Sequence, residues 1–98
     1  MIVDFYRTRW NNFVVFPTIS EAECIILENI DKQYKCIARD ENNYLFVFEN
    51  KPTKDKSSWQ SNGLDLYEDI FVFNHLFQFI TWNDEQPYNI EELLKCGD

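Results

Sequence analysis

The sequence predicts a single α+β domain over residues 1–98, with an antiparallel β-sheet of about four to six strands, one main helix packed on a face and a short C-terminal helix. Three observations predict this class. Hydrophobic residues make up 45% of the chain and aromatic residues 17%, which is enough apolar surface for one modest core. Only two glycines and three prolines interrupt the chain, so most of it is expected to be regular structure. One segment has apolar residues at helical spacing, whereas the other apolar runs are short and bounded by turn residues.

The first predicted elements are two short strands, over residues 2–6 and 13–16, followed by a helix over residues 18–33. Near the start of this helix, two residue pairs have the capping-box spacing, in which each side chain satisfies a free backbone donor. The pairs are Thr18 with Glu21 and Ser20 with Glu23. The stripe expected to be buried consists of Ile19, Ala22, Ile26 and Ile30.

Two further strands are predicted over residues 34–39 and 44–49, joined by the polar turn Asp40 to Asn43. Asparagine tolerates the left-handed backbone that such turns need. The second strand is apolar on both faces, which predicts a central strand or one that is covered on each side.

A polar loop is predicted over residues 50–63, and we expect Trp59 within it to fold back onto the core as an anchor. Residues 70–82 are rich in aromatics and predict either one long strand or a hairpin hinged at Asn74-His75. A last short helix is predicted after Pro87, with Asn89 as its cap.

The charge pattern predicts an acidic interaction surface. The chain has a net charge of −8, which argues against binding a nucleic-acid backbone or an anionic membrane and fits a protein partner with a basic surface. No lysine or arginine occurs between Ser57 and Leu94, a stretch that holds seven carboxylates. The residues predicted to bind the partner are Asp65, Glu68, Asp69, Asp84 and Glu85. The alternative is that these carboxylates are scattered and serve only solubility.

A second, basic cluster offers a ligand site as an alternative. Three lysines surround a tryptophan in the polar loop and could hold a nucleotide or a phosphate. A solvated loop is the favoured interpretation, because the segment has neither a glycine-rich loop nor an arginine fork. The residues concerned are Lys51, Lys54, Lys56 and Trp59.

No catalytic, metal or cofactor site is predicted. His75 is the only histidine, and its apolar neighbours favour a packed or turn residue over a catalytic base. Cys24, Cys36 and Cys96 are too widely spaced for a typical zinc site, and their odd number favours reduced thiols in the cytoplasm. The start of the chain lacks the pattern of a signal peptide.

Two segments together resemble a family of small phage and prophage proteins of Gram-positive bacteria. They are YKCIARDENNYLFVFENKPTKD, followed by Trp59, and LFQFITWNDEQPYNIEELL with its W-x-D-E-x-P core. The family usually has a glycine where Asn42-Asn43 stand here. The resemblance implies a phage origin, a host cytoplasmic location and no catalytic residues. The matching positions, which would be fold determinants, are Ile37, Ala38, Leu45, Phe46, Trp82 and Pro87.

Three functions follow as hypotheses. The first is a non-enzymatic, stoichiometric inhibitor of a host antiphage enzyme or complex, which binds a basic host surface. The second is a protein that sequesters a nucleotide signal at the lysine and tryptophan cluster. The third is a homo-oligomeric accessory protein with residues 70–82 as the interface strand.

Overall fold

The fold is given by a computed structural model, in which residues 18–96 are described, so the strands predicted over residues 2–6 and 13–16 lie outside the described residues. It is an α+β fold, as predicted, with a four-stranded antiparallel sheet and a separate two-stranded one. The elements in chain order are α1 (Glu21–Asn29), β1 (Cys36–Arg39), β2 (Leu45–Phe48), β3 (Thr53–Lys54), β4 (Trp59–Gln60), β5 (Tyr67–Asp69), a 3₁₀ turn (Phe71–Phe73), β6 (Tyr88–Asn89) and α2 (Ile90–Cys96).

The larger sheet has the strand order β5-β2-β1-β6. The strands β1 and β2 form the predicted hairpin, with Ile37 opposite Val47. Asn43 in the turn has φ 78°, the left-handed conformation that the sequence predicted for an asparagine there. Because β2 lies between β1 and β5, the prediction of a central strand is confirmed.

The main helix is shorter than predicted. Its N-terminus uses the second of the two capping boxes, in which Ser20 and Glu23 satisfy each other's backbone donors. The helix ends at Asn29 because the chain turns at Asp31, whose carboxylate accepts the backbone N–H of Gln33 at 3.0 Å.

The two faces of the larger sheet carry separate cores, because side chains alternate along each strand. The helix face joins Ile37 and Val47 to α1 and α2, and its buried members are Ile19, Leu27, Ile37, Leu45, Val47, Phe77, Ile80, Ile90 and Leu93. The tryptophan face holds Cys36, Ala38, Phe48 and Trp59, with Phe46 and Trp82 packed against them. The predicted stripe of α1 was therefore wrong in part, since Ala22 is exposed and Leu27 is the buried helix residue.

The predicted strand or hairpin over residues 70–82 does not exist. After β5 the chain forms the 3₁₀ turn and a series of further turns, and one buried cation explains why. Arg39 is 3% exposed, and its guanidinium donates to five backbone carbonyls at 2.7–3.1 Å. Those carbonyls belong to Asn43, Asn74, Leu76, Phe77 and Ile80. The carbonyls of adjacent strand residues point in opposite directions, whereas those of Leu76 and Phe77 converge on one guanidinium nitrogen, so the backbone is not extended there.

A second contact fixes the same segment to α1. The backbone N–H of Phe77 donates to the carboxylate of Glu23, which also closes the helix cap. Phe77 has φ 56°, an uncommon conformation for a non-glycine residue that persists where the surrounding structure holds it in place. The Phe77 N–H donates to Glu23 and the Phe77 carbonyl accepts from Arg39, so the peptide units on both sides of its Cα are held.

The polar loop contains a small hairpin, which the sequence did not predict. The strands β3 and β4 pair with Lys54 opposite Trp59 and place the Trp59 ring against the tryptophan face. Trp59 is 6% exposed, so the expectation that it anchors the loop onto the core is confirmed. Asn89 accepts the N–H of Glu92 at 3.0 Å and caps α2, also as predicted.

Candidate interaction surface

The strand β5 forms one edge of the larger sheet among residues 18–96. It pairs with β2 through Phe46 opposite Asp69, Val47 opposite Glu68 and Phe48 opposite Tyr67. Backbone hydrogen bonds of 2.9 Å flank this pairing, from Glu49 N–H to the Leu66 carbonyl and from Ile70 N–H to the Leu45 carbonyl. In an antiparallel pair the backbone groups point alternately toward and away from the partner strand. Leu66 and Ile70 bond inward, so the N–H and C=O groups of Tyr67 and Asp69 point outward.

Large apolar side chains are exposed beside this edge. Tyr67 is 58% exposed, and its ring stacks on that of Phe48 with 6.2 Å between the ring centroids. Beyond the strand, Val72 is 66% exposed. The exposed Phe71 ring packs against the Tyr44 ring, with 5.7 Å between the ring centroids. We name residues 65–69 with Phe71 and Val72 the β5 edge surface. Exposed aromatic and aliphatic side chains on a sheet edge are typical of protein-binding sites.

Three of the five predicted partner-binding residues lie on the β5 edge surface. Glu68 points to the helix face, and Asp69 to the tryptophan face, because they are adjacent residues of one strand. Glu68 accepts a hydrogen bond from the Tyr34 hydroxyl at 3.3 Å, and Asp65 accepts one from the Asn50 side chain at 3.1 Å. The pKa of Tyr34 is raised, first by burial and then by the neighbouring Glu68 carboxylate.

The other two predicted residues, Asp84 and Glu85, lie in the turn that follows Trp82. The carboxylate of Asp84 accepts the Thr81 N–H at 2.9 Å and so closes this turn, whereas Glu85 is exposed. The five acidic residues therefore do not share one face, which the sequence left open. Only the three on the β5 edge surface combine carboxylates with exposed apolar side chains.

The lysine and tryptophan cluster is not assembled as a ligand site. Lys54 donates to the backbone carbonyls of Trp82 and Asp84, and its Nζ lies 4.3 Å from the Trp82 ring centroid and 5.3 Å from that of Trp59. Both the cation and the rings are thus engaged within the fold. Lys51 and Lys56 are exposed. A buried Trp59 ring offers no face on which a nucleotide could stack.

A cleft of about 310 Å³ lies elsewhere, between the end of α1 and the start of α2. Its lining includes the apolar side chains of Leu27 and Ile90 together with Lys32, Lys35 and Glu91. None of the four residues predicted to bind a ligand contributes to it. Its mixture of opposite charges selects no ligand class.

No group of three or more histidine, cysteine, aspartate or glutamate side chains within residues 18–96 could hold a metal ion. His75 is exposed in the turn after the 3₁₀ segment. Burial raises the pKa of the Cys36 thiol, opposed by Lys51 and Lys35, so the nucleophilic thiolate is disfavoured there. In the described part of the chain, no helix has the length and apolar character needed to cross a bilayer.

Comparisons of the chain with protein-family models, with curated proteins and with solved structures give no match. The resemblance to the phage family stays a prediction that rests on its residues. Among these, Ile37, Ala38 and Leu45 are buried in the sheet, and Trp82 packs against Trp59, which agrees with a role as fold determinants.

Sequence reasoning missed the exposed apolar residues of the β5 edge surface. The signal that could have found them is the alternation of leucine with acidic and aromatic residues in LDLYED, directly after the Asn62-Gly63 turn. Gly63 has φ 59°, as a turn that starts a new strand segment there would need.

Proposed function

We propose that this chain is a protein-binding domain whose β5 edge surface binds a basic surface of a partner protein. The observation that carries the proposal is the combination of Glu68 and Asp69 with the exposed Tyr67 on one strand, which forms an edge of the sheet among residues 18–96. Carboxylates speed the encounter with a basic partner, whereas aromatic side chains supply most of the contact energy at such interfaces.

The narrower proposal is that the partner is a host antiphage enzyme or complex, which this chain inhibits stoichiometrically in the bacterial cytoplasm. It is supported by the residues that resemble the phage family and by the acidic charge of the chain. A domain of this size inhibits by covering a site on its target, and it needs no chemistry of its own. Addition of the purified chain to the purified target would reduce target activity to a minimum at one equivalent.

The binding proposal is tested by charge reversal on the β5 edge surface. The full-length chain is immobilised, bacterial lysate is applied at low and at high salt, and bound proteins are quantified by mass spectrometry. The variant that carries Glu68→Lys together with Asp69→Lys should lose a partner that the native chain retains at low salt, by roughly tenfold or more.

The matched control carries Glu28→Lys together with Glu41→Lys, two exposed residues outside the β5 edge surface. It makes the same change in net charge. If both variants lose the partner equally, binding depends on net charge alone and the proposed surface is wrong. If neither loses it, the acidic edge is not the site.

A further inference from the structure

Within residues 18–96, the outer side of β5 carries backbone groups of a defined register that no other strand pairs with. As derived above, Leu66 and Ile70 bond toward β2, and the N–H and C=O groups of Tyr67 and Asp69 point away from the sheet. No strand among residues 18–96 pairs with this side. An outward row of donors and acceptors on an exposed edge is the feature that proteins use to bind extended segments as an added strand.

The side chains around these groups are acidic on both faces of the sheet. Tyr67 and Asp69 point to the tryptophan face, and Glu68 points to the helix face. Asp65 precedes the strand, so acids lie at both ends of the exposed edge. Any strand added here would therefore place its side chains opposite carboxylates whichever face they point to.

A second copy of this chain is a poor occupant of this edge. Two antiparallel β5 strands would bring the carboxylates of Glu68 and Asp69 from both copies together, and each copy carries a net charge of −8. Like charges opposite each other in a ladder are destabilising. A lysine- or arginine-rich segment has the complementary charge.

We propose that the β5 edge binds an extended, basic segment of the partner protein as an additional antiparallel strand of the sheet. This inference rests on the proposed function, to which it adds the mode of binding and the chemistry of the partner. The added strand would exchange backbone hydrogen bonds with Tyr67 and Asp69, and antiparallel pairing continues the pattern of every strand in this sheet.

The register sets the order of residues in the bound segment. Read from its N-terminus, the segment places a basic residue opposite Asp69 and another opposite Glu68. Aromatic and aliphatic residues follow opposite Tyr67 and Leu66, and a third basic residue lies opposite Asp65. Cross-strand pairs of opposite charge and of aromatic rings are the ones that stabilise a ladder.

The probe is a synthetic peptide with blocked ends and the core sequence lysine-lysine-tyrosine-valine-lysine, added to the full-length chain. Hydrogen exchange is followed by NMR at the amides of Tyr67 and Asp69. We expect both amides to exchange freely without the peptide and to become protected when it binds. Amides already protected in the free protein would overturn the proposal, because the edge would then be occupied.

Backbone methylation of the peptide separates strand addition from simple charge attraction. The tyrosine N–H would face β5, and the valine N–H would point away. Methylation of the tyrosine nitrogen should weaken binding roughly tenfold, while methylation of the valine nitrogen should change it by no more than about twofold. Equal effects of the two, or no binding by the unmodified peptide, would overturn strand addition.

Protein variants provide an independent reading. Tyr67→Pro removes an N–H that points away from β2, so the sheet can accommodate it at this edge, and Tyr67→Ala is the control for loss of the ring. The proline variant should bind the peptide roughly tenfold more weakly than the alanine variant. Equal affinities would contradict the proposal.

Failure of strand addition can be told from failure of the proposed function. If Glu68→Lys with Asp69→Lys abolishes capture of a partner while the Tyr67 and Asp69 amides stay unprotected in that complex, protein binding stands and strand addition is wrong. If the native chain captures no partner that depends on these acids, the proposed function itself fails.

Discussion

On each face of the larger sheet, one cationic side chain donates hydrogen bonds to backbone carbonyls of an irregular segment, but one cation is buried and the other is exposed. On the helix face, Arg39 lies in the interior and holds the irregular segment 74–80 through four backbone carbonyls. On the tryptophan face, the exposed Lys54 holds the turn after Trp82 through two carbonyls and the faces of two rings. Both cations hold a segment without regular structure against the sheet.

The difference between the two cations shows that burial determines how much a hydrogen bond contributes to the free energy of unfolding. If Arg39 is removed, carbonyls in the interior lose partners that water cannot easily replace. If Lys54 is removed, its carbonyls can bond to solvent instead. The arginine also uses all of its donors in a planar fork, which an ammonium group cannot reproduce.

The largest effect is expected for Arg39→Met. We expect the free energy of unfolding to fall by about 3–5 kcal/mol, because five buried or part-buried carbonyls lose the guanidinium as a donor. Urea unfolding followed by tryptophan fluorescence measures it. Lys35→Met, at an exposed position, is the control and should change stability by less than about 0.5 kcal/mol. A loss below about 1 kcal/mol for Arg39→Met would mean that water replaces the guanidinium.

A smaller effect is expected for Trp59→Phe on the tryptophan face. The Trp59 Nε1 is buried without a hydrogen-bond partner among residues 18–96, so the change removes volume but no hydrogen bond seen there. We expect the free energy of unfolding in urea to fall by about 1–2 kcal/mol, which is typical when a smaller side chain only partly fills a buried space. Trp59→Leu, which removes more volume, should cost more. A loss above about 3 kcal/mol for the phenylalanine variant would indicate a partner for Nε1.

Lys54→Met tests the exposed cation directly. Loss of the cation–π contact and of two exposed hydrogen bonds should lower stability by about 1 kcal/mol, well below the value for Arg39. Lys56→Met, in the same loop and also exposed, provides the control and should be close to neutral. If Lys54→Met is as damaging as Arg39→Met, the distinction between the two faces fails.

The smallest effect concerns pH. Burial raises the pKa of the Asp40 carboxyl above its ordinary value of 3.8. The hydrogen bond from the backbone N–H of Trp59, at 2.9 Å, opposes this shift. Between the ordinary and the raised pKa, the folded state binds more protons than the unfolded state. Asp40 therefore adds stability in full below the ordinary pKa, and this contribution is lost as the pH rises through the raised value.

Asp40→Asn keeps an oxygen acceptor for the Trp59 N–H and removes the titration. Unfolding free energies of the variant and the native chain, measured from about pH 4 to pH 7, should show a less negative slope for the variant just above pH 4. Asp55→Asn, an exposed aspartate in the neighbouring turn, controls for the loss of one charge. Parallel curves for Asp40→Asn and the native chain would contradict the shift.

Local patterns predicted the regular parts of this fold. The cap at Ser20, the left-handed Asn43, the central strand β2 and the cap at Asn89 depend on residues within a few positions of one another. The burial of Trp59 followed from the size of its side chain. These features depend on interactions between residues that are close in the sequence, so they can be predicted from the sequence alone.

The segment 70–82 illustrates what could not be read in that way. Its aromatics have a composition typical of a strand, but its carbonyls converge on Arg39, more than thirty positions earlier in the chain. The same holds for the acidic residues, whose linear cluster divides between the β5 edge and the turn at Asp84. Which carboxylates lie beside an open edge depends on strand order, and strand order is a property of the whole sheet.

The sequence by itself determined the fold class, the helix caps, the β1–β2 hairpin and the net negative charge, because propensity, capping and charge are local or additive. Tertiary structure alone decided that Arg39 replaces a strand with turns, that Lys54 and Trp59 are engaged within the fold, and that β5 lies at an edge with exposed aromatics. These depend on contacts between distant residues, whose energies are set by burial and by the direction in which backbone groups point.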